Sequence, residues 1–226
     1  MSDKHILRSY KMMTDNGGAP NAISGILTLA ICKTPMRSVA EVGEWIAGFS
    51  SKTLDNSQVG QEKLIYLAKI EKVLSFAEYW ESYPQKHPEA NKQGDNIYKP
   101  DDKCGYIQVP NAYHNDEWDY ENDVQTDRVL IFGEFYYFRQ DSRLEIPSDI
   151  RLELHIPQKQ ARYGFLTQDA NVINKLINFV RDNKDKCQAY KDENGASGGS
   201  GLEFDTSSCG GYATKNNTKK MPKKCK

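Results

Sequence analysis

A few side chains in this 226-residue chain have the types and neighbours needed for covalent or acid–base chemistry at neutral pH. Cys32 is followed by Lys33, and an adjacent cation favours the thiolate, the nucleophilic form of a cysteine. A small strand cysteine is equally at home in a core. His114 is followed by Asp116 and Glu117, which sets an imidazole in a carboxylate-dense loop able to supply a general base or a metal ligand. No second histidine stands at ligand spacing, so no metal site is expected. Asp95 and Asn96 join a carboxylate to an amide that could read a Watson–Crick edge, as pockets for flipped bases do. Cys32, Asp95 and His114 are therefore the candidates for catalysis.

A second set of residues has binding chemistry. Asp15 and Asn21 flank Gly17, Gly18 and Pro20 in a loop that would offer backbone N–H groups and polar side chains to a phosphate or base edge. The same residues make ordinary turns. Lys33, Arg37 and Lys52 fall near strand ends, where cations neutralise phosphates. Tyr98 is the best placed of the aromatic residues to stack on a base, whereas Trp45 and Trp80 read as core. The binding set is thus Asp15, Asn21, Lys33, Arg37, Lys52, Asp95, Asn96 and Tyr98. Lys33 and Arg37 are expected to meet Asp95 and Asn96 in one cleft. Nothing in the spacing names a cofactor.

These residues must be carried by a scaffold, and the apolar periodicity outlines it. Strands are expected near residues 6–13, 26–32, 42–50, 63–74 and 128–138, with a bulge near Lys72 and another irregularity at Gly133. Ser75 and Glu78 form a capping box that opens a helix over Phe76 to Ser82. Asp169 caps an amphipathic helix with Val172, Ile173, Leu176, Ile177 and Val180 on one stripe. Leu152 to Ile156 reads as a short strand, and residues 84–126 as a long irregular region of functional use. Strand–helix alternation is missing. The expectation is an α+β fold, a small mixed or antiparallel barrel with helix 170–182 packed outside.

Composition sets the limits. One domain over residues 1–186 and a polar, lysine-rich tail over 187–226 account for the length. A net charge of −1 excludes a whole-protein basic field, although residues 116–127 hold six acids and residues 215–226 six lysines. Five cysteines without zinc spacing, an opening that runs straight into a strand, and no long apolar run point to a reduced, cytoplasmic protein without membrane insertion.

Two resemblances add to this. Arg37 and the run Val42-Gly43-Glu44-Trp45-Ile46, followed by the strand Leu64 to Val73 and an aromatic helix, resemble PUA-like modules of the EVE and ASCH types, which implies a barrel whose pocket reads an extruded or modified base. A longer ordered series resembles the nucleotide modification-associated domain family, second type. It runs through Thr14-Asp15, Ala19-Pro20-Asn21, Thr28-Leu29-Ala30, Cys32-Lys33, Pro35, Arg37, Gly43 to Ile46, Gly94 to Tyr98 and Asp127 to Ile131. Ala22, Glu44 and the extra Thr34 depart from that pattern. The resemblance implies a place in systems that make or handle modified bases. The function expected is binding of a nucleotide or modified base in nucleic acid. The alternatives are an enzyme that modifies a nucleobase or nucleotide, and an interaction module with no small ligand.

Overall fold

The computed structural model describes residues 5–138, 140–157 and 165–187. Its centre is a seven-stranded sheet. β1 (Leu7–Lys11), β2 (Thr28–Leu29), β3 (Trp45–Phe49), β4 (Lys63–Leu74), β7 (Val129–Tyr137) and β9 (Phe165–Thr167) run in the order β2-β7-β4-β3-β1-β9, and β8 (Leu144–Glu145) adds to β4. β1 and β3 are parallel, and the other pairs are antiparallel. A separate hairpin pairs β5 (Tyr98–Asp101) with β6 (Gly105–Gln108).

The α+β character expected of the chain is present, and the closed barrel is not. Among the described residues β2 and β9 end the sheet and do not pair. The reason lies at β2, which holds two residues because the chain turns sharply at Cys32 and Lys33, where φ is +56° and +46°. A strand that short cannot carry the register needed for closure.

The sheet buries both faces. On one, Leu7, Trp45, Phe49, Leu64 and Leu67 meet α6 (Ala170–Asp182), whose buried residues are the expected stripe of Val172, Ile173, Leu176, Ile177 and Val180. The Asp169 carboxylate caps α6 by accepting from Asn171 N at 2.8 Å. On the other face, Tyr10, Ile46, Tyr66, Ile70, Leu130 and Phe132 pack with Met36 of α1 (Thr34–Val39). The register of β4 on β7 slips between Ala68 and Ile70, opposite Gly133 and Glu134, and again before Lys72. A third cluster sits under α3 (Phe76–Ser82), which starts at the Ser75–Glu78 capping box.

Two sequence expectations change. Leu152 to Ile156 is not a strand, because Ile150 and Leu154 are buried four residues apart while Leu152 is 86% exposed. That is helical spacing, and α5 (Ser148–Glu153) takes the first two residues of the segment and ends at the Leu154 cap. Residues 84–126 are not irregular throughout. They contain the β5–β6 hairpin and α4 (Glu117–Asp123), which the Asp116 carboxylate caps by accepting from Asp119 N at 2.9 Å. α2 (Lys52–Asp55) is a single turn. Apart from Cys187, the proposed tail lies outside the described residues.

Candidate functional site

The turn that ends β2 also presents its thiol. Two consecutive non-glycine residues in the left-handed region each cost about 1–3 kcal/mol, and such strain collects at functional sites. Here Arg37 helps hold the turn. The guanidinium is fully buried and donates from Nε to the Cys32 carbonyl at 2.8 Å, from Nη1 to the Arg128 carbonyl at 2.8 Å and from Nη2 to the Asp123 carbonyl at 2.8 Å. Thr34 Oγ1 donates to the Asn122 carbonyl at 2.8 Å. The start of α1 is thereby fixed to the end of α4.

His114 arrives from the opposite side. Asn111 Oδ1 accepts from the backbone N–H of Tyr113 at 2.9 Å and of His114 at 2.7 Å, an Asx turn that sets the ring direction. Asn111 Nδ2 donates to the Gly94 carbonyl at 2.7 Å, which ties this turn to the Gly94–Tyr98 segment. Tyr113 closes the gap to the Asp15–Gly18 loop. Its hydroxyl donates to the Asn16 carbonyl at 3.0 Å, and a Cβ on Gly18 would stand 2.9 Å from its ring.

The result is a Cys–His–Asp constellation. Cys32 Sγ lies 3.2 Å from His114 Nε2, and His114 Nδ1 lies 2.7 Å from Asp123 Oδ2. A carboxylate accepting at Nδ1 selects the tautomer whose Nε2 lone pair faces the thiol. Asp123 is itself held at both oxygens: Cys32 N donates to Oδ1 at 2.6 Å and the Tyr98 hydroxyl to Oδ2 at 2.8 Å, with Arg37 Nη2 at 3.6 Å. His114 is 2% exposed and Asp123 fully buried, whereas Cys32 is half-buried, so solvent meets the thiol before the base.

The surrounding charges are tuned by burial. Desolvation lowers the Arg37 guanidinium from its usual range, with Asp123 opposing. It raises the Tyr98 hydroxyl well above its usual value, with the Asp123 charge adding to the effect. Asp119, 3.7 Å from His114 Nδ1, is raised by burial against the pull of the imidazole. A second carboxyl therefore borders the ring.

The other sequence-selected residues are distributed as follows. Lys33 places its ammonium 4.9 Å from the centroid of the Tyr10 ring. Among the described residues no carboxylate forms an ion pair with it. Asp15 accepts from Tyr137 Oη and pairs with Arg143 at 2.9 Å. Asp95 lies in a separate buried network, accepting from Thr28 Oγ1 and the Tyr79 hydroxyl at 2.7 Å each, with the Lys86 ammonium 3.5 Å away. Asn21 joins that network through Lys86 Nζ at 2.7 Å. Asn96 donates to the Tyr79 carbonyl at 2.8 Å and the Tyr83 carbonyl at 3.1 Å. The Tyr98 ring is enclosed by Phe76 and Tyr120. Lys52 is exposed at the start of α2.

The structure thus brings Cys32, Lys33, Arg37, His114 and Tyr98 into one neighbourhood, and it places Asp95, Asn21 and Asn96 in the adjoining core. The carboxylate against Arg37 is Asp123. In the sequence Asp123 is only one of the six acids of residues 116–127. A signal existed: Asp119 and Asp123 are four apart, which puts both on one face of a helix capped by Asp116.

Comparison with known proteins fits this chain into a family. The family described as nucleotide modification associated domain 2 matches residues 4–194. The chain belongs to that family. No curated protein and no solved structure matches it. In this member of nucleotide modification associated domain 2, no helix among the described residues is long and apolar enough to cross a membrane. No group of three His, Cys, Asp or Glu side chains among them is arranged to hold a metal ion.

Proposed function

We propose that this domain is a thiol-dependent enzyme of nucleotide modification, in which Cys32 is the nucleophile, His114 its base and acid, and Asp123 the group that orients the imidazole. The Cys32–His114–Asp123 contacts at 3.2 and 2.7 Å carry the reading. The family's association with nucleotide modification supports a nucleotide or a modified base in nucleic acid as the substrate.

The chemistry that suits these groups is acyl transfer. His114 Nε2 takes the thiol proton as Cys32 Sγ bonds to a carbonyl carbon, and the π electrons of that carbonyl move onto its oxygen. The tetrahedral adduct collapses, its bond to the leaving nitrogen or oxygen breaks, and His114 returns the proton to that atom. Water, deprotonated by His114, then releases the acyl group and the thiol. Positioned proton transfer of this kind is worth about 10²–10⁴-fold. Lys33, next to the nucleophile and in no ion pair with a carboxylate among the described residues, binds the anionic part of the substrate. Binding of a nucleotide or modified base is thus the first step of the same reading.

Alkylation by iodoacetamide, followed by peptide mass spectrometry, tests the nucleophile. Cys32 should react faster than Cys187 at pH 6–7, and His114→Ala should slow Cys32 towards the rate of Cys187. Equal rates in the unaltered protein would remove the proposal.

A further inference from the structure

We propose that Tyr98 is a positioning residue of this site: its hydroxyl pins the Asp123 carboxylate against His114 and limits how tightly that pair holds a proton. His114 then stays free to take the proton of Cys32. The inference rests on the nucleophile and base assigned above and adds the group that tunes the base.

Tyr98 opens β5 and pairs with Gln108 in the register of the β5–β6 hairpin. Its ring is 1% exposed, with the Phe76 centroid at 4.7 Å and that of Tyr120 at 5.9 Å. A ring enclosed in this way leaves the hydroxyl as what Tyr98 presents to the site. That hydroxyl donates to Asp123 Oδ2 at 2.8 Å. The same oxygen lies 2.7 Å from His114 Nδ1, while Oδ1 accepts from Cys32 N at 2.6 Å. The carboxylate is gripped at both oxygens, and Oδ2 is shared between a neutral donor and the imidazole.

Sharing one oxygen has an electrostatic consequence. The Tyr98 hydrogen bond spreads the negative charge of Oδ2 and favours the ionised carboxylate. Without it, Oδ2 would turn to His114 alone, and the pair would hold its proton more tightly whichever atom carries it. Burial, with the Asp123 charge adding to it, keeps the Tyr98 hydroxyl protonated well above the usual tyrosine range, so it donates at every working pH. Three other titratable groups border the pair. Arg37 Nη2 of α1 lies 3.6 Å from Asp123 Oδ1, Asp119 Oδ1 of α4 lies 3.7 Å from His114 Nδ1, and Cys32 Sγ lies 3.2 Å from Nε2. The Arg37 charge favours loss of the proton and the Asp119 charge its retention. Among the described residues Tyr98 is the neutral donor on the oxygen that the imidazole uses.

Titration of His114 by NMR in Cys32→Ala isolates this effect from the thiol. Adding Tyr98→Phe in the full chain should raise the His114 midpoint by about one pH unit, while His5, His87 and His155 keep theirs. A purely structural role would lower the melting temperature and leave the midpoint in place. With Cys32 present, p-nitrophenyl acetate leaves an acetyl group on sulfur, and p-nitrophenolate departs with the electron pair. Water then attacks that thioester as His114 takes its proton. The C–S bond breaks, acetate leaves, and the sulfur takes the proton back from His114. The pH profile of this hydrolysis should move up with the midpoint in Tyr98→Phe. Should Tyr98→Phe fail to fold, 3-fluorotyrosine at position 98 decides. A stronger donor of nearly the same shape should lower the midpoint, and an unchanged or higher one overturns the proposal. An unchanged or lowered midpoint in Tyr98→Phe also overturns it. A Cys32 that iodoacetamide alkylates no faster than Cys187 would instead fail the nucleophile assignment, which the titration without the thiol does not use.

Discussion

His114 Nε2 lies 3.2 Å from Cys32 Sγ although 82 positions separate them in the chain. Neither residue sits on a long regular element: one is at a left-handed turn, the other at an Asx turn. What brings them together is the pair of short helices α1 and α4, held to each other by Arg37 and Thr34. The thiol–imidazole geometry is therefore a property of loop anchoring.

Asp123→Asn should reduce acetylation of Cys32 by p-nitrophenyl acetate about 10²–10⁴-fold, because the amide no longer selects the Nδ1–H tautomer of His114. The melting temperature should change much less than the rate. An acetylation rate within threefold of the unaltered protein would remove Asp123 from the mechanism.

Arg37→Leu should destabilise the fold by about 3–5 kcal/mol, the cost of leaving a buried partner charge uncompensated. Its loss strands the carbonyls of Cys32, Asp123 and Arg128 and one side of the Asp123 carboxylate. For a chain of this size that corresponds to a fall of about 6–20 °C in melting temperature. Arg37→Lys should recover only part of it, since an ammonium cannot span the three acceptors in a fork. A melting temperature within 2 °C of the original in Arg37→Leu would contradict the anchoring role.

Lys33→Met should weaken binding of phosphate-bearing ligands selectively. A hydrogen bond to a charged group is worth about 1.5–3 kcal/mol, so protection of Cys32 from iodoacetamide by a nucleoside 5′-monophosphate should need at least about tenfold more ligand. Protection by the corresponding nucleoside should be unchanged. Equal effects on both ligands would place the phosphate elsewhere.

The buried lysine of the adjoining network predicts a pH dependence of stability. Burial pulls the Lys86 ammonium down to about 8, with Asp95 opposing. The unfolded chain keeps this proton to about 10.4. Between those values the unfolded state binds more protons, so this contribution to stability rises with pH. Urea titrations at pH 7.5 and 9.5 should show the rise in the unaltered protein and a smaller one in Lys86→Met. An equal slope in both would mean that Lys86 titrates normally.

Much of the scaffold was legible in the residues because its signals are local. The Ser75–Glu78 box and the stripe from Val172 to Val180 each define a helix within a single turn or two of sequence, and both helices have the expected bounds. The strand pattern from Lys63 to Leu74 likewise announced β4, including the slip before Lys72. Closure of the sheet was not a local matter. It depended on how soon β2 ended, and a left-handed pair at Cys32 and Lys33 is not marked by glycine or asparagine. The site divides the same way. Cysteine, histidine and lysine could be selected by type, since their chemistry is intrinsic. Asp123 could not be told from its acidic neighbours by type, because a carboxylate acquires its role from what it faces. Only packing decides that Asp123 is closed in by Cys32, Tyr98, Arg37 and His114, while Asp95 is spent on Thr28, Tyr79 and Lys86.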